Sequence, residues 1–203
     1  MPGVGVDIVD LARIAESIER APGRLASRVC TPAELAWIAE GDQVERLAAC
    51  FALKEAWIKA NGARPPGFQW TDCEFVQSKI GGLPASWTRN GEVIVARVGE
   101  GRSFTMAQVP IGVPPDGLTE REIAYCNGSV QRIAGRVAAK QAIASLVLEG
   151  AAIEVLPGEH PEDEPLPCRG SHPPRVLVDG ERSEVEVSIT HVVTLAAAVA
   201  WIN

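Results

Sequence analysis

The chain opens with a short stretch in which small and β-branched residues alternate. Residues 3–9, GVGVDIV, show the two-residue period that is typical of a β-strand with two distinct faces. Alternation places Val4, Val6 and Ile8 on one face and Asp7, with the glycines, on the other. A carboxylate among apolar neighbours is costly unless a positive charge compensates it. The pattern therefore predicts an opening strand in which Asp7 needs a cationic partner.

Several segments with helical periodicity follow the opening strand. Apolar residues recur at helical spacing over 10–21, and a Pro-Gly pair then ends the segment. Thr31 followed by Glu34 is typical of a capping box at the start of a second helix. The strongest helical pattern of this region covers 45–60. Three later segments are predicted strands: 72–77, 92–98 and 103–109.

Two of these helices recur later in the chain. The stretch PIGVPPDG, residues 110–117, interrupts regular structure because its prolines and glycines cannot continue a helix or strand. Beyond it, TEREIAYC from Thr119 resembles TPAELAWI from Thr31, and RIAGRVAAKQAIASL from Arg132 resembles RLAACFALKEAWIKA from Arg46. The offsets are 119 − 31 = 88 and 132 − 46 = 86 residues, so both copies keep nearly the same separation between their helices. A tandem duplication is indicated.

The duplication predicts an α+β fold in which two tandem copies of one unit form a pseudo-dimer. We place the first half at residues 1–112 and a degenerate second half at 113–203. In this interpretation the second half has no counterpart of the opening strand, and its last strand, LAAAVAWI, corresponds to 103–109. The loop 157–175 of the second half is acidic and rich in proline.

Composition and charge limit the classes of function. The 203 residues are 46% hydrophobic, which suits one domain or two small ones. A net charge of −7 argues against general attraction to nucleic acid or anionic membranes, although a local basic pocket is compatible with it. No signal peptide or long apolar span is visible, so we expect no membrane segment. The cysteines are odd in number and scattered, which favours reduced thiols and a cytoplasmic location: Cys30, Cys50, Cys73, Cys126 and Cys168.

Several polar residues are candidates for chemistry, and each has a simpler structural explanation. An aspartate such as Asp7 at a strand end often caps a neighbouring helix. Glu55 and Lys59, spaced i, i+4 on one helix, often form a solvated ion pair. His191 follows an alternating strand that ends or bends near Thr190, where a lone histidine is more often structural. Together, however, a strand aspartate and a helix glutamate can bind a divalent cation through oxygen, while the lysine meets a phosphate.

Two further features carry little functional weight. Cys168, His160 and His172 contain only a fragment of a zinc-site spacing, and we expect no metal there. Arg64, in the loop after the 45–60 helix, is expected to be an ordinary surface charge.

Four motifs, in this order, resemble those of one known family. GVGVDIV, CTPAEL, RLAACFALKEAWIKA and VSITH with AAAVAWI are similar to motifs of the holo-acyl-carrier-protein synthases, members of the 4′-phosphopantetheinyl transferase superfamily. The family pattern is a strand G-[IV]-G-x-D-[IV], a helix R-x-x-x-x-[RK]-F-x-x-K-E-A-x-x-K and a final S-x-[ST]-H. The motifs are specific only in combination, and the resemblance covers nearly the whole chain when the chain is divided into two copies.

The resemblance implies an active site between two copies of the fold. One copy supplies a metal-binding Asp and Glu, and its neighbour supplies the S-x-[ST]-H and a phosphate-binding Arg. In this chain the first half keeps Asp7, Glu55 and Lys59. The second half has lost the aspartate strand and carries Gln141 in place of the glutamate.

The second half keeps what the first half lacks. It has Arg136 where the first half has Cys50. It also carries the S-x-[ST]-H residues, for which GRSFTMAQ stands in the first half: Ser188, Thr190 and His191. The losses are complementary and leave the parts of one complete site at the junction of the halves.

The implied reaction moves the 4′-phosphopantetheine arm of coenzyme A onto a serine of an acyl, polyketide or peptidyl carrier protein. The resemblance implies Mg²⁺ on Asp7 and Glu55, with water where two-domain relatives often carry a second carboxylate, since that position is Val9 here. Catalysis is assigned to Asp7, Glu55 and Lys59, with Glu55 taking the serine proton either directly or through a metal-bound water. Six residues are expected to bind coenzyme A: Lys54, Lys59, Arg136, Ser188, Thr190 and His191.

Two other interpretations are open. A degenerate homologue would bind coenzyme A or a carrier protein without transferring the arm. A structural or partner-binding protein would carry the duplicated fold and use neither ligand. We expect an active enzyme that works as a monomeric pseudo-dimer, because random decay would not spare one whole site.

Overall fold

A computed structural model describes residues 3–62, 64–100, 103–158 and 173–202. Most of the acidic loop 157–175, with His160, Cys168 and His172, lies outside the described residues. The chain has a mixed α+β fold, as predicted. Among the helices of the described ranges, none is both long enough and apolar enough to cross a membrane.

The elements fall into two groups along the chain, which we call the first and second unit. The first unit comprises β1 (Val4–Asp10), α1 (Leu11–Arg20), α2 (Arg24–Val29), α3 (Pro32–Ala39), α4 (Gln43–Ala60), β2 (Phe75–Val76), β3 (Lys79–Ile80), β4 (Leu83–Asn90) and β5 (Val93–Gly99). The second unit comprises β6 (Ser103–Pro110), α5 (Glu120–Cys126), α6 (Val130–Ala144), β7 (Ile153–Leu156), β8 (Arg175–Val178), β9 (Glu181–Arg182), β10 (Glu186–His191) and β11 (Leu195–Ile202).

Each unit contains an antiparallel sheet that one long helix covers. In the first unit the strand order is β1-β5-β4-β3-β2, and α4 packs on β1 and β5. In the second unit the order is β10-β11-β6, and α6 packs on β6 and β11. The other strands of the second unit form a small separate sheet in the order β7-β8-β9. Both units therefore share the arrangement of a long helix on an antiparallel sheet.

The helix α4 forms where the sequence predicts the strongest helix of the first half. Asp42 caps its first turn by accepting a hydrogen bond from the Glu45 amide at 3.0 Å, and the helix ends at Ala60. The contact between α4 and β1 is very close at Gly5, where a Cβ atom would lie 2.0 Å from the carbonyl oxygen of Ala56. Only glycine permits this approach, so β1 runs directly against the helix.

The two larger sheets pack against each other. β1 lies between α4 on one side and the strands β10 and β11 on the other. The face of β1 that carries Val4, Val6 and Ile8 is buried there, together with side chains of β5 and β11: Val93, Val95, Ala197, Val199 and Trp201. The alternation predicted for the opening strand is confirmed, since Asp7 instead meets Lys59 of α4. Asp7 thus lies at the junction of the two units.

The place of β6 in the fold differs from the prediction. The sequence pattern assigns this strand to a first half ending at residue 112, but β6 pairs with β11 and packs on α6. It therefore takes the position beside β11 that β1 takes beside β5. The expectation that the second half lacks a counterpart of the opening strand is wrong. The match of LAAAVAWI to 103–109 is also wrong, because β11 corresponds to β5. Periodicity identifies a strand but not its hydrogen-bonded partner.

Contacts with the two long helices show how β1 and β6 correspond residue by residue. The Thr105 hydroxyl donates a hydrogen bond to the carbonyl oxygen of Ala142. Ala142 follows Ala56 by 142 − 56 = 86 residues, the offset of the helix repeat. Thr105 therefore matches Gly5, the residue that meets Ala56. Two residues further along, Ala107 matches Asp7.

A buried network ties the start of α3 to α4 and β2. The Glu34 carboxylate accepts hydrogen bonds from the amides of Thr31 and Phe75, both at 2.8 Å. It also pairs with the Lys54 ammonium at 2.8 Å. The predicted capping box at Thr31 is confirmed, and its glutamate also forms a buried ion pair that local sequence did not indicate.

The second unit contains the same network. The Glu122 carboxylate accepts from the amides of Thr119 and Val155, both at 2.8 Å, and pairs with Lys140 at 2.9 Å. Each of these three contacts of Glu122 has its counterpart at Glu34 in the first unit. Repetition at this level of detail supports a common origin of the two units.

Candidate active site at the junction of the units

Asp7 is held by both units, and only 8% of its surface is exposed. From α4, the Lys59 ammonium donates to Asp7 Oδ1 at 2.7 Å and to the Val6 carbonyl oxygen at 3.0 Å. From β10, the Thr190 hydroxyl donates to the same Oδ1 at 3.0 Å. The helix-capping explanation does not apply to Asp7, because Asp10 caps α1 instead. Lys59 is the cationic partner that the pattern of the opening strand requires.

Glu55 lies one turn before Lys59 on α4 and is partly buried. Burial raises the pKa of its carboxyl group above the usual value, and the negative charge of Asp7 raises it further. The positive charges of Lys59 and Arg64 oppose this shift. Asp7 and Glu55 are thus close enough to repel each other, and a cation would relieve that repulsion.

The second unit contributes three side chains from β10. Ser188 Oγ accepts a hydrogen bond from the Val6 amide at 3.3 Å, and Ser188 and Thr190 are both buried. The strand ends at His191, close to the end predicted near Thr190, and His191 is exposed there. Partial desolvation of the ring lowers the pKa of His191 below its usual value, and the charge of Lys59 lowers it further. The structure therefore brings together six of the predicted residues: Asp7, Glu55, Lys59, Ser188, Thr190 and His191.

Lys54 was expected to hold a phosphate of coenzyme A, and the structure contradicts this. Its side chain is fully buried, pairs with Glu34 and donates to the carbonyl oxygens of Trp70 at 2.7 Å and Cys73 at 2.8 Å. All of its hydrogen-bonding capacity is used inside the first unit. Lys54 is a structural residue, and Lys140 has the same role in the second unit.

Arg136 was also expected to bind coenzyme A, and its surroundings do not support this. Its side chain is buried, Nε donates to the Val155 carbonyl oxygen at 3.0 Å, and the guanidinium lies 4.7 Å from the Tyr125 ring centre. Both partners belong to the second unit, and no contact of Arg136 with Asp7, Glu55 or Lys59 is found among the described residues. The arginine occupies the place of Cys50 in the repeat, which is also a core position.

Arg64 is not the ordinary surface charge that its loop position predicts. Its Nη2 lies 3.6 Å from Glu55 Oε1, and its guanidinium lies over the Trp70 ring at 5.0 Å and near the Phe68 ring at 5.9 Å. Arg64 is thus a part of the site that sequence reasoning missed. Nothing in the local spacing indicates the contact, because the loop folds back onto α4.

The strand β4 was not predicted, yet it corresponds to β10. The matched residues Asp7 and Ala107 lie opposite Ala96 of β5 and Ala198 of β11. On the other side, Ala96 lies opposite Trp87 of β4, and Ala198 lies opposite Ile189 of β10. The strands β4 and β10 therefore have the same register. The match pairs Ser86, Thr88 and Arg89 with Ser188, Thr190 and His191. GRSFTMAQ is therefore not the first-half counterpart of the S-x-[ST]-H. The second unit supplies no carboxylate to complete a second site, since its matching residues are Ala107, Gln141 and Ser145.

The donor set at the junction suits a magnesium ion. Asp7 and Glu55 supply carboxylate oxygens, which Mg²⁺ prefers, and Mg²⁺ commonly binds one or two carboxylates while keeping water or phosphate oxygens. The repulsion between the two carboxylates fits a divalent cation. Val9 is buried and offers no ligand. The remaining positions of such an ion would be left to water or substrate.

Elsewhere in the described residues, three potential metal ligands lie together in the core of the first unit: Cys30, Glu34 and Cys50. The Lys54 ammonium, 2.8 Å from Glu34, already supplies the positive charge of this cluster. The hydrogen bond that the Cys50 thiol donates to Cys30, together with burial, raises the pKa of Cys50 and keeps its thiol protonated. The two cysteines pack as small apolar residues.

The chain belongs to the 4′-phosphopantetheinyl transferase superfamily, whose family model matches residues 3–126. Within that superfamily it is similar to holo-[acyl-carrier-protein] synthases. It is 49% identical over 83 residues to that of Frankia alni, covering 41% of this chain and 64% of the relative. It is 45% identical over 103 residues to that of Clavibacter sepedonicus, covering 51% of this chain and 77% of the relative. The matched part spans less than two thirds of the Frankia alni protein.

Solved structures give matches of similar extent. A Helicobacter pylori holo-[acyl-carrier-protein] synthase in complex with coenzyme A is 25% identical, covers 47% of this chain and 97% of that chain, and has a TM-score of 0.43. The synthase from Neisseria meningitidis is 26% identical, covers 48% of this chain and 97% of that chain, and has a TM-score of 0.44.

Proposed function

We propose that this protein transfers the 4′-phosphopantetheine arm of coenzyme A to a serine of a carrier protein and releases adenosine 3′,5′-bisphosphate. The transfer takes place at one site between the two units. The carrier is of the acyl, polyketide or peptidyl type. Similarity to holo-[acyl-carrier-protein] synthases supports this assignment.

One observation carries the proposal: Asp7 receives hydrogen bonds from Lys59 of the first unit and Thr190 of the second. A carboxylate held in this way has a defined position relative to both units. In addition to desolvation, the charges of Asp7 and Lys59 shift the pKa of Glu55, and the charge of Lys59 shifts the pKa of His191. If Glu55 and Lys59 were only a solvated ion pair, Lys59 would not be bound to an aspartate that Thr190 of the second unit also contacts.

The residues of the site suit distinct tasks in phosphoryl transfer. Asp7 and Glu55 would hold Mg²⁺, which when bound neutralises charge on the transferring phosphoryl group. Lys59 and His191 would hold phosphate oxygens of coenzyme A. Ser188 and Thr190 keep β10 in position against β1 by their bonds to Val6 and Asp7. Glu55, directly or through a metal-bound water, would accept the serine proton.

We infer that the active form is one chain, because both parts of the site lie in the same polypeptide. The covalent link keeps the second unit near the first at any protein concentration. Activity per chain should therefore be constant when the protein is diluted to nanomolar concentration. A steep loss on dilution would show that the site is shared between chains.

The free cysteines of the described residues, Cys30, Cys50, Cys73 and Cys126, suit a reducing compartment such as the cytoplasm.

Mass spectrometry of an apo carrier protein tests the proposed reaction. Incubation with the enzyme, coenzyme A and Mg²⁺ should increase the carrier mass by one phosphopantetheine group, and a chelator should prevent this. A non-catalytic homologue would bind coenzyme A or the carrier, as isothermal titration calorimetry can show, without any change in carrier mass. Absence of transfer with several types of carrier would contradict the proposed function.

A further inference from the structure

Arg64 pairs with Glu55 from the loop that follows α4. Its Nη2 lies 3.6 Å from Glu55 Oε1, and its side chain is 53% exposed. The rings of Trp70 and Phe68 lie beneath the guanidinium, at 5.0 Å and 5.9 Å. Contact with aromatic faces holds an arginine in place without using its hydrogen-bond donors.

The two carboxylates of the site have different partners in the free protein. Asp7 is bound closely by Lys59 at 2.7 Å and by Thr190 at 3.0 Å. Glu55 has the looser contact with Arg64 at 3.6 Å. A half-exposed pair of this kind contributes little energy and is exchanged easily for another partner. A divalent cation that needs Glu55 would compete with Arg64 for the same carboxylate.

We propose that Arg64 has two partners in turn: Glu55 in the free protein, and a phosphate group of coenzyme A once a divalent cation engages Glu55. This inference rests on the proposed function. The aromatic rings keep the released guanidinium beside the site, and its planar group of donors fits two phosphate oxygens at once. Arg64 thus neutralises the charge of Glu55 before the ion binds, and afterwards it supplies a positive charge to the substrate.

The first partner is tested by titrating the protein with Mn²⁺ alone, followed by calorimetry or by the electron paramagnetic resonance signal of free Mn²⁺. Arg64→Gln should bind Mn²⁺ about two- to fivefold more tightly than the wild type, because the competing cation is gone. Arg89→Gln is the control, since Arg89 pairs with Glu45 at 3.0 Å and its loss changes the net charge equally. Equal affinities of Arg64→Gln and Arg89→Gln, or no Mn²⁺ binding by the wild type, would overturn the inference.

The second partner is tested by steady-state transfer with varied coenzyme A. Arg64→Gln should raise KM for coenzyme A about threefold to tenfold and change kcat little, and Arg64→Lys should recover only part of the loss. An unchanged KM in an active wild-type background would overturn the inference and leave the proposed function intact. Failure of the wild type to transfer at all would instead contradict the proposed function, while the Mn²⁺ titration would still decide the role of Arg64 toward Glu55.

Discussion

The helices α4 and α6 share the same buried ion pair past their midpoints and then differ within one turn. Lys54 and Lys140 pair with Glu34 and Glu122 at nearly equal distances, 2.8 and 2.9 Å. The next residue is Glu55 in α4 and Gln141 in α6. Four residues further on, the matching pair is Lys59 in the first unit and Ser145 in the second: a charged side chain against an uncharged one.

This difference separates structural residues from candidate catalytic residues. The Glu–Lys network is present twice because each unit needs it to join its capped helix to its long helix. The Asp7 site is present once because each unit supplies only one part of it. Among the aspartate, glutamate and lysine residues of these two networks, those present in both units belong to the fold, and those present in one unit are candidates for chemistry.

The largest effect is expected from exchanging the carboxylate at the position that differs. Glu55→Gln should lower the rate of transfer by a factor on the order of 10² to 10⁴, because it removes both a metal ligand and the proposed base. Gln141→Ala should change the rate less than twofold. Initial rates from carrier mass measure both. Equal losses in the two variants would remove the distinction between the units.

The next effect concerns stability at the positions that the units share. Lys54→Met leaves Glu34 buried without its partner and should lower the free energy of unfolding by about 3–5 kcal/mol. Lys140→Met should cost a similar amount through Glu122. Lys59→Met serves as the control, since the partly exposed Lys59 should contribute less to stability than to transfer. Urea denaturation measures all three, and a mild effect of Lys54→Met would contradict its structural role.

A smaller effect should follow from cutting the hydrogen bond between the units. Thr190→Val removes the donor to Asp7 and should slow transfer by about tenfold to a hundredfold, because the lost bond is to a charged group. Thr88→Val, at the matching position of β4, is exposed and should have no measurable effect. Similar rates for the two variants would show that the bond to Asp7 does not matter for transfer.

The smallest effect concerns His191, whose counterpart in the first unit is Arg89. Its pKa should lie below the usual 6.5 in nuclear magnetic resonance titrations, because partial desolvation and then the Lys59 charge disfavour the protonated ring. Lys59→Met should raise it. The folded state then binds fewer protons than the unfolded state, so stability declines as pH falls below 6.5 and levels off below the folded pKa. His191→Gln should remove this part of the pH dependence, and an unchanged profile would contradict the shift.

The sequence predicts those parts of the fold that depend on local chemistry. The capping box at Thr31 and the helix ending at Ala60 follow from short-range rules, and the structure confirms both. The strand β4 escaped prediction because LPASWTRN contains a proline and few β-branched residues. The pairing of β6 with β11 was not predicted either, because strand pairing depends on the whole sheet and not on local sequence.

The candidate site was predicted in outline from the resemblance and corrected in detail by tertiary contacts. Helical spacing cannot show that Lys54 faces Glu34, because α4 has buried residues around most of its circumference. The sequence alone also did not distinguish a phosphate-binding Arg136 from a core Arg136, because its contact with Val155 depends on how α6 packs against β7. Arg64 was missed because its contact with Glu55 depends on how a loop folds.

The close contact at Gly5 has a consequence for attempts to build a second site. With no side chain between them, β1 and α4 approach until a Cβ would lie 2.0 Å from the Ala56 oxygen, and this spacing lets Lys59 reach Asp7. In the second unit Thr105 stands at that position, and its side chain lies between strand and helix, where the hydroxyl donates to the Ala142 carbonyl oxygen. We therefore expect that carboxylates installed at Ala107 and Gln141 would need Thr105→Gly as well, if strand and helix are to approach as closely as β1 and α4 do. The site in the first unit therefore depends on a close approach of two backbones as well as on the side chains that it carries.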